Sequence, residues 1–382
     1  MSSATIPPPP PSRPPAKLAR FWRRVTEGME LNQLWSQFRS DAKASYRLYS
    51  RDVKPGEPSE TRVRRFFHTF QQFAWAILEK LTPARRVLLL LAILLLLMPA
   101  GGCHFRGENG DVTVGEFDFR FYGGVVMFVV LMLEVADRVV MKRDLEIARD
   151  IQRWLLPPSP PPVPGLTIAF ATRPANTVAG DYYDVFARPD GTRFLIAVAD
   201  VAGKSIPAAL LMATFQASLK TLSSTPTSLE ELVTAMNRYA CLNSQGGLRF
   251  TTAFIAEFDP QSRALTYINA GHNTPVLRRK SGAIERLTEG GLPLGIQAEA
   301  PYESGRVVLE SEDWLVVFTD GLVEAVNGRD EEYGEERMIR ILDGSAAVTP
   351  EKVLSRMMVD VDAFVGTTPQ HDDITCLLVK VG

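Results

Sequence analysis

The hydrophobic pattern divides the chain into an apolar middle and an alternating C-terminal part. Val87 to Cys103 (VLLLLAILLLLMPAGGC) carries no charge over 17 residues and is dominated by Leu. That is near the lower length limit for a helix crossing a hydrocarbon core of about 30 Å. It lies too far from the N-terminus to be a signal peptide. A helix apolar on every face is also hard to bury in a small soluble domain, although a buried core helix is the competing reading. A second run, Phe121 to Leu133 (FYGGVVMFVVLML), is shorter and stops at Glu134. Joined across His104 to Arg120, the two runs predict a transmembrane helical hairpin over 87–140.

Past the second run, Leu133, Val140, Ile147 and Trp154 recur every seven residues, with Met141, Leu145, Ala148, Ile151 and Leu155 beside them. This predicts an amphipathic linker helix over 141–157, suited either to pairing in a homodimer or to docking on its own domain. Pro157 to Pro164 (PPSPPPVP) ends it and marks a boundary, leaving a domain over 165–382. There, Thr167 to Ala171, Phe194 to Asp200, Thr251 to Phe258, Ala264 to Asn269, Trp314 to Thr319 and Ile374 to Val379 are rich in β-branched or aromatic residues and read as strands. Pro207 to Leu222 and Leu229 to Tyr239 read as helices, the second with a capping box from Ser228 and Glu231. Consecutive strands over 251–278 favour antiparallel pairing and an α+β layout.

Charge refines the N-terminal half. The net charge is -2, which disfavours a nucleic-acid binder, but Met1 to Arg86 holds 16 Lys+Arg against 7 Asp+Glu. That local +9 leaves -11 for the remainder, and it suits either an anionic membrane surface or the solvated face of small helices. His104 to Arg120 holds two Arg and four acidic residues, whereas Arg85, Arg86, Arg138, Lys142 and Arg143 flank the outer ends. Positive-inside logic then places both termini in the cytoplasm, with the protein in the inner (cytoplasmic) membrane and its C-terminal domain on the cytoplasmic side. Residues 1–20 include a run of prolines (IPPPPPSRPP) and read as an extended, disordered leader; 21–86 reads as a basic helical segment.

Candidate chemistry is confined to the C-terminal domain. Cys103, Cys241 and Cys376 form no C-x-x-C pair, and none has an Arg six residues later, which excludes a zinc knuckle and a cysteine-phosphatase loop. Four acidic signals share one setting, a strand end or tight turn beside Gly or small residues: Gly180-Asp181 in GDYYD, Asp200 in DVAGK, Asp320-Gly321 in FTDG, and Asp372-Asp373 in HDDIT. A carboxylate at the end of a buried strand is costly to desolvate without a counter-charge. Few Lys or Arg lie beside these acids in sequence, so a metal is the natural partner, and oxygen donors select Mg²⁺ or Mn²⁺ over zinc. Gly203-Lys204-Ser205 resembles the tail of a phosphate loop, but the leading Gly is replaced by Val198 and Asp200 would repel a phosphate. His272, in the turn Asn269 to Asn273, reads as a hydrogen-bonded structural residue.

The segments GDYYD, DVAGKSIPAALLMA, FTTAFIAEFD, YINAGHNTP, LPLGI, VVFTDGLVEAVN and DDITCLLV resemble, in order, the PPM-type metal-dependent protein serine/threonine phosphatases. The most similar branch is that of sporulation protein E and the stress-response sigma-regulator phosphatases. EIARDIQRWLLP also resembles the helix leading into that domain. The resemblance implies an α/β/β/α sandwich in which two Mn²⁺ or Mg²⁺ ions activate water directly, with no covalent enzyme intermediate. It places Asp181, Asp200, Asp320, Asp372 and the carbonyl of Val201 on the metal-ligand positions. Gly180, Asp184, Gly203, Gly321 and Asp373 take supporting places. Lys204 stands in a turn that often reads G-H-G, and no ligand role falls to it. The implied substrate is a phosphorylated signalling protein of the anti-sigma-factor-antagonist type. The rival reading is a non-catalytic scaffold that binds a phosphoprotein.

Overall fold

The computed structural model describes residues 71, 75, 78–98, 101–107, 110–244, 247–343 and 348–382, with only the backbone course described over 101–117. The Pro-rich leader and nearly all of the basic segment at 21–86 lie outside the described residues. The chain divides into two compact units, Met1–Ala136 and Asp137–Gly382.

In the first unit, α1 (Pro83–Leu97) begins with Pro at its first turn, where a missing N–H costs nothing. It spans 15 residues and ends ahead of Pro99 in the sequence, a residue that disfavours helix before it. At 1.5 Å per residue that is about 22 Å, short of a hydrocarbon core. The segment expected to be a simple connector instead forms an antiparallel ribbon, β1 (Gly101–Gly107) with β2 (Gly110–Phe117), closed at Gly107↔Gly110. Its sequence signal is Asn109-Gly110 followed by Val112, Thr113 and Val114. The second apolar run belongs to α2 (Phe119–Leu155), a 37-residue helix that also contains the expected linker. Its apolar portion is cut short by Glu134, Asp137 and Arg138.

Among the described residues no helix is long and apolar enough to cross a membrane. The expected transmembrane hairpin is corrected accordingly: one run is too short and the other is interrupted by charge. The two helices approach closely at Gly123, where a Cβ would stand 2.9 Å from the Leu96 backbone nitrogen and 3.0 Å from the Ala92 carbonyl. Farther along the same two helices, Arg85 and Glu134 pair at 3.3 Å.

The second unit is a four-layer sandwich. One sheet has the order β10-β7-β6-β5-β4, with β11 (Gly305–Val308) also on β7. Its strands are β4 (Tyr182–Ala187), β5 (Phe194–Val201), β6 (Thr251–Asp259), β7 (Ala264–Ala270) and β10 (Gly290–Gly291). The other has the order β3-β13-β12-β8-β9, built from β3 (Leu166–Arg173), β8 (Val276–Arg278), β9 (Ile284–Arg286), β12 (Trp314–Phe318) and β13 (Ile374–Val381). The long strands pair antiparallel throughout.

Strand alternation explains the layers. In β5, Ile196 and Val198 enter the layer between the sheets, where they meet Leu315, Val317, Leu377 and Val379 of the opposite sheet. Leu195, Ala197 and Ala199 face outward onto α3 (Ile206–Leu222) and α4 (Leu229–Asn243), packing with Met212, Phe215, Val233 and Met236. On the other side, Val316, Phe318 and Leu378 meet α7 (Pro350–Val365) through Val353, Met357 and Val361, and α6 (Glu335–Asp343) through Met338. A strand covered on both faces reads as an unbroken apolar run, which is what FLIAVADV shows. The capping box predicted at Ser228 and Glu231 is formed, both hydrogen bonds present at 3.0 and 3.1 Å.

The end of α2 is docked on this sandwich. Gln152 is buried, and its amide both donates to the Ala179 carbonyl (2.6 Å) and accepts from the Ala179 N–H (3.0 Å). Leu156 packs against both inner clusters. All four residues of the sevenfold stripe, Leu133, Val140, Ile147 and Trp154, stay exposed.

Candidate metal centre

At one end of the inter-sheet layer the alternation continues but the chemistry changes. The face that carries Val198 in β5 next presents Asp200; the face that carries Phe254 in β6 presents Thr252. In the opposite sheet, Val317 is followed by Thr319 and Leu377 is preceded by Thr375. Asp181 enters beside them from the turn before β4, Asp320 from the first residue of the short helix α5 (Asp320–Val323), and Asp372-Asp373 from the turn before β13. Sheet pairing therefore gathers acids drawn from positions 181 to 373 of the chain into one polar patch.

Asp181 is almost wholly buried, and Thr319 Oγ1 donates to its Oδ2 at 3.0 Å. Burial pushes its carboxyl well above the usual range, and repulsion from Asp200 and Asp373 adds to this, against hydrogen bonds from Thr375 and Thr319. Asp200 is pushed up to about 7, first by burial and then by Asp320, Asp372 and Asp373. Asp320 is raised by burial and Asp372, with the Gly321 N–H and Lys204 opposing. Asp373 is raised chiefly by burial.

The two neighbouring acids do different things. Asp373 is saturated by backbone donors, accepting from Ala175 N–H and Gly180 N–H, each at 2.7 Å. It thereby fastens the turn that carries Asp181. Asp372 turns outward, pairing through Oδ2 with Lys204 Nζ at 2.8 Å. Two glycines sit at close approaches, and the one at 321 is required there. A Cβ on Gly321 would lie 2.1 Å from the Asp373 carbonyl oxygen, and one on Gly180 would lie 3.1 Å from the Val201 carbonyl oxygen. That carbonyl thus faces the Asp181 turn.

Asp184, expected to support the site, is engaged elsewhere. Strand alternation puts it on the α3 face, where it accepts from Tyr182 Oη at 2.8 Å and pairs with Lys220 at 2.7 Å. His272 is buried as a neutral ring, held down to about 4 by burial with the Phe318 backbone opposing. Its Nδ1 lies 3.1 Å from Thr252 Oγ1, and that hydroxyl lies 3.4 Å from the Asp200 carbonyl. Sequence reasoning missed Thr319 and Thr375, which bond one another (Thr375 N–H to Thr319 Oγ1, 2.9 Å) and fix Asp181. The signal was present, since each is the Thr of a motif already singled out, FTDG and DDIT.

Among the described residues, no group of three or more acidic, His or Cys side chains is already set in a metal-holding arrangement. The donor chemistry nonetheless fits a hard divalent cation. Carboxylates held above their usual range by burial and by one another are a site lacking its counter-charge, and all the side-chain donors are oxygens.

Burial, with the mutual repulsion added to it, sets a pH dependence for the metal-free protein. A carboxyl raised in the folded state holds a proton that the unfolded chain has released above about pH 4. The native state then binds more protons, and stability falls as pH rises through the folded pKa. His272 acts in the opposite sense, but only below about 6.5, where the unfolded ring becomes charged. Between about pH 6.5 and 8 the carboxyls act alone. Thermal melts in EDTA are expected to drop by roughly 3–5 °C across that window. A flat or rising profile would mean that burial and repulsion do not hold these acids protonated in the fold.

The protein-family model described as Stage II sporulation protein E (SpoIIE) matches residues 190–382, which take in Asp200, Asp320 and Asp372 but not Asp181. The chain is 30% identical over 243 residues to "Phosphoserine phosphatase RsbU" of Bacillus subtilis (strain 168), covering 63% of this chain and 70% of that protein. Among solved structures it is similar to the SiaA-PP2C domain of Pseudomonas aeruginosa, with TM-score 0.56 and 20% identity over 65% of this chain and 99% of that one. It is also similar to the PP2C phosphatase domain, with a fragment of the regulatory domain, of SpoIIE from Bacillus subtilis. There the TM-score is 0.50 and the identity 18%, over 56% of this chain and 63% of that one. At those identities the structural likeness establishes the fold.

Proposed function

Because the chain belongs to the SpoIIE family of PP2C-type phosphatases, we propose that it is a metal-dependent protein phosphatase acting on phosphoserine or phosphothreonine of a signalling protein. The observation that carries this is the convergence of Asp181, Asp200, Asp320 and Asp372 at one open end of the inter-sheet layer. An anti-sigma-factor antagonist is the substrate class in keeping with the branch.

Asp181, Asp200, Asp320, Asp372 and the Val201 carbonyl would hold two Mg²⁺ or Mn²⁺ ions. When bound, such ions lower the pKa of water and neutralise charge on a phosphate. The chain's own residues prepare the site. Thr319 and Thr375 orient Asp181, and the Asp373 carboxylate locks the Ala175–Gly180 turn. The Thr252 and His272 pair packs beneath the Asp200 backbone and keeps that end of the layer free of a competing charge, because the ring stays neutral. The acids are thus fixed before substrate arrives, which is where electrostatic catalysis draws its strength.

Hydrolysis of p-nitrophenyl phosphate and of a phosphoserine peptide by the full chain, with Mn²⁺ and with EDTA, tests the reading. Turnover that requires the metal is expected. A folded protein that binds the phosphopeptide but releases no phosphate with Mn²⁺ or Mg²⁺ would replace it with the scaffold reading.

A further inference from the structure

Lys204 is the one basic side chain, among the described residues, that is ion-paired with a member of the acid cluster. Its Nζ lies 2.8 Å from Asp372 Oδ2 and donates to the His371 carbonyl at 2.6 Å. It therefore reaches from the loop after β5 to the turn before β13, joining the two sheets across the mouth of the site.

The loop is shaped to deliver it. Gly203 has φ +119, and Ser205 has φ 64 with ψ -145. That second conformation is one essentially reserved for glycine, and such strain persists where the surroundings over-determine it. Ser205 also makes no side-chain capping bond to α3, so it gains nothing locally from its position. Lys204 sits between that glycine and the strained Ser205. On its partner's side, Asp372 has one oxygen on the Asp373 N–H and the other on Lys204.

We propose that Lys204 is a resident counter-ion of the metal-free site, which must leave Asp372 before that carboxylate can take a metal, and so weakens metal binding on the Asp372 side. The inference rests on the metal reading above. An ammonium on a four-carbon stem suits this role, because it neutralises charge without rigid geometry and can swing into solvent. Half of its side chain is already exposed, so release is not blocked by packing. The lysine lets the acids stay folded together without a cation from solution, and metal affinity falls in return.

Calorimetric titration of Mn²⁺ into the full chain tests this, with Lys204→Met, Asp372→Asn and the double variant, each checked by circular dichroism. Lys204→Met is expected to bind Mn²⁺ roughly two- to five-fold more tightly, in keeping with the modest strength of an exposed pair. Its melting temperature in EDTA should be lower than wild type. In the Asp372→Asn background the same substitution should tighten Mn²⁺ binding clearly less, because only the weaker, longer-range effect of Lys204 on Asp320 and Asp373 is left. Unchanged or weaker binding by a folded Lys204→Met protein overturns the proposal. So does equal tightening in the Asp372→Asn background, which would make the effect one of distant charge. Wild-type protein that binds no Mn²⁺ would remove the metal reading itself, and the proposal with it.

Discussion

Asp200→Asn is expected to lower metal-dependent phosphatase activity by at least about a hundredfold and, in the protein stripped of metal, to raise the melting temperature. The two effects share one cause. Asp200 ends the inter-sheet face of β5 and is held up to about 7 by burial and by Asp320, Asp372 and Asp373. Without a cation, its charge is a liability to the fold. With one, the same charge helps hold the ion that activates water, worth several kcal/mol in the transition state. Asn keeps the shape and removes the charge. The pair of measurements is a phosphate-release assay in Mn²⁺ and a melt in EDTA, both on full-length protein. Lost activity with lowered metal-free stability would mean Asp200 acts through packing. Retained activity would remove it from the metal site.

The second large effect is expected from Gly321→Ala. A Cβ there would meet the Asp373 carbonyl oxygen at 2.1 Å, and the obstacle is backbone, which cannot swing aside as a flexible side chain would. The 372–373 turn must move, and it carries both Asp372 and the carboxylate that fastens the Ala175–Gly180 turn. Overpacking of this kind costs about 1–3 kcal/mol or more. For a domain of this size that lowers the melting temperature by roughly 2–4 °C per kcal/mol. Activity should fall further than stability accounts for, because Asp181, Asp320 and Asp372 lose register together. Gly328→Ala is the control. Its nearest obstacle is Thr368 Oγ1 at 4.0 Å, so a change within about 0.5 kcal/mol is expected. Equal melting temperatures for the two variants would show that the 372–373 turn yields freely and that the close approach at Gly321 constrains nothing.

Much of the sandwich could be read from the sequence, because its strands are covered on both faces. FLIAVADV, WLVVF and ITCLLVKV stand out as apolar runs, and a carboxylate or threonine at the end of such a run is conspicuous. Local hydrogen bonding made the Ser228 cap legible for the same reason, since both partners lie within one turn. The short strands β9 (Ile284–Arg286) and β10 are too brief to show a period, and β4 was hidden in the polar GDYYD motif.

What the sequence determined by itself was which side chains are costly to bury, and hence that Asp181, Asp200, Asp320 and Asp372 need a partner. Tertiary structure alone decided who those partners are. The donors to Asp373 are backbone groups at Ala175 and Gly180, nearly two hundred residues away, and backbone N–H groups leave no mark in a sequence. Alternation places Asp184 on the helix face with Lys220, although it stands three residues from Asp181 in the same motif. Lys204 reaches Asp372 only because the two sheets bring their loop ends together. The apolar runs at 87–133 show the converse limit: hydropathy counted residues, but the first helix stops at Leu97 ahead of the β1–β2 ribbon, and in α2 the apolar stretch ends at Glu134 while the helix continues to Leu155. Composition is local and additive along the chain, whereas contacts between distant loops depend on how the strands pair, and that pairing exists only in the fold.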